Sequence, residues 1–164
     1  MPFIVRIELS HDRKSFDCGN PALNDFLLKR GVSLYAGSTY VLVPDLDSPE
    51  IIAYFTIAPD PKEVLAGQYD VNPLLTRLVE LRYLAVDKQY QRQGIGEDLL
   101  LEIMTQVVEI ADSHKIDALV LEPIDSQAEQ WYLRRDFGFQ VTFIPDRKLI
   151  LFVASMRTAL ASRS

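Results

Sequence analysis

The sequence predicts a single mixed α/β domain, residues 1–164, with a mostly antiparallel sheet flanked by helices. The first observation is that strand-like segments, alternating or continuously apolar, are spread along the whole chain. The second is that three segments with helical spacing of apolar residues lie between them. The third is that 48% of the 164 residues are hydrophobic and no repeat or low-complexity tract interrupts them, which suffices for one full core.

The predicted element order is β-α-β-β-β-α-β-α-β-β. The predicted strands are Phe3–Leu9, Thr39–Val43, Ile51–Ala58, Val79–Val86, Asp117–Leu121, Val141–Ile144 and Leu149–Val153. The predicted helices begin at Pro21, Gly94 and Ser126, and the second extends to Ser113. Pro21 suits a first helical position, and Ser126 with Glu129 three residues later is typical of a capping box. The proline-bearing stretch Pro59–Leu75 predicts a loop of the kind that often borders a site.

Composition narrows the class of function. Cys18 is the single cysteine, so an internal disulfide is excluded. His11 and His114 lie far apart in the sequence, we interpret both as surface residues, and no metal site is expected. No apolar run is long enough to span a bilayer and the first residues do not resemble a signal peptide, so we expect a cytoplasmic protein without membrane contact. A net charge of −6 disfavours non-specific coating of nucleic acid but leaves a local basic patch open.

The most informative segment runs from Leu81 to Gly96. An apolar strand end is followed by a polar turn, and Gln91-x-x-Gly94-x-Gly96 then opens a long apolar-periodic helix. Closely spaced glycines at a helix start let the backbone approach an anion, and free N–H groups there can bind it. The spacing matches neither the dinucleotide fingerprint nor the nucleoside triphosphate loop. We expect a phosphate or pyrophosphate ligand, and the alternative is a tight strand-to-helix turn without a ligand.

This loop resembles the acetyl-CoA pyrophosphate loop, Q/R-x-x-G-x-G/A, of the GCN5-related N-acetyltransferase (GNAT) superfamily. The segment Ala128-x-x-Trp131-Tyr132 followed by Phe137-Gly138-Phe139 is similar to the family's A-x-x-[FL]-Y-x-x-x-G-F pattern. Phe16-x-Cys18-Gly19-Asn20-x-x-Leu23-x-x-Phe26-Leu27 resembles the TacT/AtaT-like acetyltransferase toxins, as does Leu84-Ala85-Val86-Asp87. The resemblance covers nearly the whole chain and implies the GNAT fold.

The resemblance also implies a reaction, the direct transfer of an acetyl group from acetyl-CoA to an amine. It implies a bulged fourth strand whose unpaired groups hold the pantetheine arm, around Leu84, Ala85 and Val86. The pyrophosphate would be held by Gln91, Arg92, Gln93, Gly94, Ile95 and Gly96. For Arg92 an exposed turn residue is the alternative.

Two further residues are candidates for proton transfer. The resemblance assigns Tyr132 as the general acid that protonates the CoA thiolate, and a packing tyrosine beside Trp131 is the alternative. The resemblance also makes Glu80 the candidate base, because some family members carry a catalytic glutamate at this position, five residues before Ala85. Simple alternation places Glu80 on the face of Leu84 and Val86, and a salt bridge is the alternative. An α-amine, with a pKa near 8, needs a base less than a lysine amine does.

The chain departs from the family pattern in two ways. Tyr132 and Gly138 are six positions apart rather than four, which indicates an insertion within Leu133 to Asp136 that lengthens the helix end or its turn. The chain is also acidic, whereas the toxins are usually basic.

Two classes of amine acceptor therefore remain possible. The acidic composition favours a small-molecule or protein amine, and the toxin-like segment favours the α-amine of an aminoacyl-tRNA. The basic pairs Lys29-Arg30, Arg134-Arg135 and Arg147-Lys148 are candidates to face an acidic acceptor, Arg134 and Arg135 first. A catalytically silent acyl-CoA-binding module is a further alternative. A homodimer and, for a toxin, an antitoxin partner stay open.

Overall fold

A computed structural model describes residues 2–33, 36–57, 62–63, 77–142 and 148–163 of the chain. The chain forms two compact units, Met1–Pro59 with Leu81–Leu100, and Asp60–Glu80 with Leu101–Ser164. The strands are β1 (Phe3–Arg6), β2 (Ser38–Val43), β3 (Ala53–Ile57), β4 (Lys62–Glu63), β5 (Arg77–Val86), β6 (Ala118–Leu121), β7 (Gln140–Thr142) and β8 (Lys148–Phe152). The helices are α1 (Pro21–Arg30), α2 (Ile95–Ser113), α3 (Ser126–Leu133) and α4 (Val153–Ala161).

The first unit contains an antiparallel sheet in the order β1, β2, β3 and the second half of β5. The predicted strands Thr39–Val43 and Ile51–Ala58 correspond to β2 and β3, which pair as an antiparallel hairpin. Its core is formed by buried apolar residues from the strands, from α1 and from the turn before α1. They are Phe16, Phe26, Leu27, Ala36, Val41, Val43, Ile51, Tyr54 and Ala85.

Helix α1 begins where its sequence predicts. The side chain of Asn20 accepts hydrogen bonds from the backbone N–H groups of Ala22 and Leu23, and Pro21 occupies the first turn. Both features stabilise a helix start, because the first N–H groups of a helix lack partners within it. Lys29 and Arg30 lie in the last turn, where a cation interacts favourably with the helix dipole.

The second unit contains β6 next to β8 and β8 next to β7, both pairs antiparallel, and β5 is the other neighbour of β6 in the sheet. Leu78, Ala118, Val120 and Ile150 form its buried apolar cluster, with Phe152 packed against it. No helix within the described ranges is long and apolar enough to cross a membrane.

Helix α4 was not predicted, and Val153, assigned to a strand by the sequence, is its first residue. Val153, Met156 and Ala159 are its buried residues, and their regular spacing of three is the signal that was available. Most of the predicted loop Pro59–Leu75 lies outside the described residues, and the short strand β4 lies within it.

Two local predictions are wrong. The N-cap of α3 is Asp125 rather than Ser126, because the aspartate carboxylate already accepts the N–H of Ala128 at 2.7 Å. His11 is buried rather than on the surface, and its Nδ1 accepts the backbone N–H of Glu8 at 2.9 Å. A histidine satisfied in this way stabilises a turn.

Candidate active site

Strand β5 carries a bulge at Arg82. Thr56 pairs with Tyr83, and the next residue of β3, Ile57, pairs with Leu81. Arg82 therefore has no partner in β3 and is the extra residue of the bulge. Its guanidinium donates a hydrogen bond to the carbonyl of Ala36 at 2.6 Å, which fixes the side chain at the bulge. The bulge that the sequence resemblance implies is therefore present.

The bulge also corrects the predicted position of Glu80. Paired residues of an antiparallel ladder share a face, so Leu84 and Leu81 lie on the face of Phe55 and Ile57 although they are three residues apart. The extra residue shifts the alternation by one position. Glu80, the neighbour of Leu81, therefore does not share a face with Leu84, and the prediction from simple alternation is wrong. The Glu80 side chain is partly buried.

The three predicted pantetheine residues form the end of β5. Leu84, Ala85 and Val86 each pair with a residue of β3 on one side. Ala85 is buried in the core of the first unit, while Leu84 and Val86 are partly exposed. Backbone groups on the other side of this strand end are the candidates for binding an amide-rich arm.

The turn after β5 is built around the Asp87 carboxylate. Asp87 is only 8% exposed, and Oδ1 accepts the N–H of Gln89 at 2.9 Å, which caps a short 3₁₀ turn, Lys88–Tyr90. Its Oδ2 accepts the N–H of Asp17 at 3.1 Å. Asp87 directly follows the last residue of the strand, but no local motif in the sequence indicates this capping role.

The side chain of Gln91 faces the protein rather than a ligand. Its Nε2 donates to the carbonyl of Cys18 and to the carbonyl of Val86, both at 2.8 Å. A side-chain amide has two N–H groups, and both are used here. Of the donors of Gln91, only the backbone N–H therefore remains a candidate to bind the pyrophosphate.

Two residues of the loop have left-handed backbone conformations. Gly94 has φ of +83°, and a Cβ added there would meet no atom within 4 Å. Arg92 has φ of +63°, which is uncommon for a residue other than glycine. Left-handed residues in a loop turn successive N–H groups toward one side and can form an anion-binding concavity. Backbone strain of this kind is often found at functional sites.

Helix α2 begins directly after this loop at Ile95, one residue later than predicted. The N–H of Asp98 bonds to the carbonyl of Gly94, so the N–H groups of the first turn have no partner within the helix. They combine with the positive end of the helix dipole to favour an anion. Arg92, Gln93 and Gly94 are exposed and Ile95 and Gly96 are partly exposed, so the loop is accessible.

Tyr132 lies on α3 in the second unit. Tyr132 is 8% exposed. Its ring packs edge to face against the rings of Trp131 and Phe139, with centroid distances of 5.0 Å and 5.5 Å. Burial raises the pKa of the hydroxyl well above its ordinary value, so the group is protonated at neutral pH. Its hydroxyl forms no hydrogen bond with another described residue. A protonated and uncommitted hydroxyl has the properties that a general acid needs.

The insertion after Tyr132 forms a turn rather than a longer helix. Helix α3 ends at Leu133, and the N–H of Arg134 bonds to the carbonyl of Gln130. The Arg135 side chain folds back over the helix, donating to the carbonyl of Trp131 at 2.9 Å and lying 3.9 Å from the centre of the Trp131 ring. Arg135 is therefore engaged within α3, whereas Arg134 is exposed.

The first unit thus brings together the predicted pantetheine residues, Leu84 to Val86, and the predicted pyrophosphate loop, Gln91 to Gly96. Tyr132 and Glu80 belong to the second unit. No group of three or more His, Cys, Asp and Glu side chains that could hold a metal ion occurs in the part of the chain that is described.

Comparison with known proteins gives matches along most of the chain. The model of the Acetyltransferase (GNAT) family matches residues 9–139. A tRNA-acetylating toxin of Mycobacterium tuberculosis is 28% identical over 145 residues, covering 84% of this chain and 84% of that protein. The crystal structure of a KacTA–DNA complex has a TM-score of 0.83 at 28% identity and covers 99% of both chains. A tyrosine-to-phenylalanine mutant of KacT has a TM-score of 0.82 at 27% identity, covering 96% of this chain and 98% of that one.

Proposed function

Because this chain belongs to the GNAT acetyltransferase family, and is thus an acetyl-CoA-dependent N-acetyltransferase with the GNAT fold, we propose that its acceptor is the α-amine of an aminoacyl-tRNA. The observation that carries the proposal is the similarity to a tRNA-acetylating toxin over 84% of the chain. The net charge favoured a small-molecule or protein amine, but a whole-chain charge says little about one surface. We therefore prefer the tRNA acceptor, and the small-molecule or protein amine becomes the alternative.

The cofactor loop is the first part of the proposed mechanism. The N–H groups from Arg92 to the first turn of α2 would bind the pyrophosphate of acetyl-CoA, and the exposed Arg92 side chain would add a cation. The side of the β5 end that faces away from β3 would pair with the amides of the pantetheine arm. These contacts would hold the thioester beside the amine, and positioning alone can supply a large part of the barrier reduction.

The transfer itself needs one bond made and one broken. The amine nitrogen attacks the thioester carbonyl carbon, the C–S bond breaks, and the departing sulfur takes the proton of the Tyr132 hydroxyl. The Tyr132 hydroxyl is protonated in the working pH range, as a general acid must be, and the pKa that burial raises makes it a weaker acid than an exposed tyrosine.

The amine must lose a proton, and an α-amine does so readily. An α-amino group with a pKa near 8 is only about one unit from pH 7, so its deprotonation costs about 1.4 kcal/mol, whereas deprotonation of a lysine amine costs roughly 4.6 kcal/mol. Water can accept the proton of an α-amine. Glu80 is the candidate base if the acceptor is instead a lysine.

A basic cluster on the first unit supports an acidic acceptor. Lys29 and Arg30 lie in the last turn of α1, and the guanidinium of Arg13 donates to the carbonyl of Leu28 in the same turn at 2.8 Å. Lys14, adjacent to Arg13, is exposed, as are Lys29 and Arg30. Lys29 also pairs with Asp25, but this exposed pair leaves its cation accessible. Cations on two segments joined by this hydrogen bond suit the phosphates of an RNA.

The salt dependence of the reaction tests the proposed acceptor. If the four cations of this cluster each neutralise a phosphate, raising the salt from 50 to 200 mM should lower kcat/KM for charged tRNA by about 50-fold. A small amine should show only a few-fold change. Charge reversal of Lys14 and Arg30 together should weaken tRNA use, whereas Lys115→Glu, an exposed lysine outside the cluster, is the matched control.

Three acceptors in one thiol-release assay separate the alternatives. Charged tRNA, uncharged tRNA and a mixture of small amines and protein are each incubated with acetyl-CoA. Release with charged tRNA alone supports the proposal. Release with the small amines or protein and none with charged tRNA supports the general acceptor. Binding of acetyl-CoA without release in any mixture supports the silent binding module. The antitoxin partner stays a prediction.

A further inference from the structure

The turn before α1 is bonded directly to the loop before α2. The carbonyl of Asp17 accepts the N–H of Lys88 at 2.9 Å, and the Asp17 carboxylate forms an ion pair with the Lys88 ammonium at 2.9 Å. The carbonyl of Cys18 accepts from the Gln91 side chain at 2.8 Å. This turn is part of the toxin-like segment that begins at Phe16.

Asp87 joins the two segments from the loop side. Its Oδ2 accepts the N–H of Asp17 and its Oδ1 accepts the N–H of Gln89, so each carboxylate oxygen holds a different segment. Its own N–H donates to the carbonyl of Ile52 on the neighbouring strand segment at 2.9 Å. An asparagine at this position has one acceptor oxygen and can keep only one of the two side-chain bonds. The carboxylate is therefore specifically required for both.

Asn24 stabilises the turn from the α1 side. Its Oδ1 accepts the N–H of Cys18 at 2.9 Å, and its Nδ2 donates to the carboxylate of Asp17 at 2.9 Å. The same Asp17 oxygen accepts the N–H of Gly19. The Asn24 amide on α1 therefore holds both Asp17 and Cys18. These are the two residues whose backbone groups Asp87 and Gln91 contact.

We propose that Asp87 and Asn24 are positioning residues, which hold the loop from Lys88 to Gly96 in the conformation that binds the pyrophosphate of acetyl-CoA. This inference rests on the proposed function of that loop. Asp87 is buried and both its oxygens are occupied by the protein, so it acts through the loop backbone and not by touching the cofactor. The loop contains the left-handed residues Arg92 and Gly94, and a strained conformation persists only when its surroundings fix it.

Two acetyl donors test the proposal. Acetyl-CoA carries the pyrophosphate and acetyl-pantetheine lacks it, so only acetyl-CoA depends on the loop. Asp87→Asn should raise the KM for acetyl-CoA about tenfold, the size expected for one lost buried hydrogen bond to a charged group. The kcat with acetyl-CoA and the kcat/KM with acetyl-pantetheine should stay within about twofold. Asp45→Asn, at an exposed aspartate that caps a surface turn, is the matched control.

Asn24→Ala provides a second and independent variant, because it loosens the turn while leaving Asp87 in place. It should change the KM for acetyl-CoA in the same direction, again without effect on acetyl-pantetheine. An equal loss with both donors, or no change with either, in the folded variants overturns the positioning role. A wild-type protein that uses acetyl-pantetheine as efficiently as acetyl-CoA contradicts the pyrophosphate loop itself, so the two failures are distinguishable.

Discussion

Gly94 offers the sharpest perturbation of the cofactor loop. Its φ is +83° and an added Cβ meets no atom within 4 Å, so any substitution introduces backbone strain but no clash with the protein. A left-handed non-glycine residue costs about 1–2 kcal/mol. For a chain of this size this corresponds to a melting temperature lower by about 2–8 °C. The strain is present with and without cofactor, so it should affect stability more than affinity.

Charge at the same position should act on affinity. One carboxylate about 4 Å from one phosphate charge in a water-like medium costs about 1 kcal/mol, and a pyrophosphate carries two such charges. Gly94→Glu should therefore weaken acetyl-CoA binding by about 30-fold relative to Gly94→Gln, which has the same size and the same strain. Added salt should reduce this difference, because the loop is exposed.

Isothermal calorimetry with acetyl-CoA on the two folded variants is the assay, with thermal unfolding to confirm that their stabilities match. Equal dissociation constants for Gly94→Glu and Gly94→Gln would refute the placement of the pyrophosphate at this loop. A large loss already in Gly94→Gln, with no further loss in Gly94→Glu, would show that shape rather than charge matters there.

Three further predictions concern Tyr132, Asp17 and Arg135. Tyr132→Phe should lower kcat by about 100-fold with unchanged acetyl-CoA affinity and melting temperature. Because burial raises the pKa of the Tyr132 hydroxyl, a pH–rate profile of the wild type should show no loss of this acid from about pH 8 to 10. Hydrogen bonding to Lys88 lowers the pKa of Asp17 from 3.8 to about 2. The fold thus favours the ionised form, and urea unfolding should show the stability advantage of wild type over Asp17→Asn above about pH 4 and its loss as the pH falls toward 2. Arg135→Ala should lower the free energy of unfolding by about 1 kcal/mol and reduce kcat, because the helix that carries Tyr132 loses its terminal hydrogen bond and its contact with the Trp131 ring. Arg134→Ala, at the exposed neighbour, is the control. It should change neither the stability in thermal unfolding nor kcat in steady-state assays.

Much of the fold could be predicted from the sequence, because local patterns decide it. The order of the predicted elements is confirmed, as are the start of α1 at Pro21 and the glycine loop before α2. The resemblance to the GNAT family is confirmed too, because the family model matches residues 9–139. Such features depend on residues close together in the chain.

The remaining features depend on contacts between segments that are distant in the sequence. The bulge at Arg82 is visible only in the pairing of β5 with β3, and it moved Glu80 off its expected face. The side chain of Gln91 is bound by a carbonyl 73 residues away, which no loop motif reveals. Asp87 acquires its role through a turn 70 residues earlier in the chain. The sequence left the acceptor open, because net charge averages over surfaces that act separately.

The central claim is that this acetyltransferase modifies the α-amine of an aminoacyl-tRNA. The most direct measurement incubates a set of charged tRNAs with isotopically labelled acetyl-CoA, hydrolyses the ester bond, and identifies the released amino acids by mass spectrometry. We expect labelled N-acetyl-amino acid from at least one charged tRNA, dependent on Tyr132. Labelled small amines or protein lysines in parallel reactions, with every charged tRNA returning only unmodified amino acid, would contradict it.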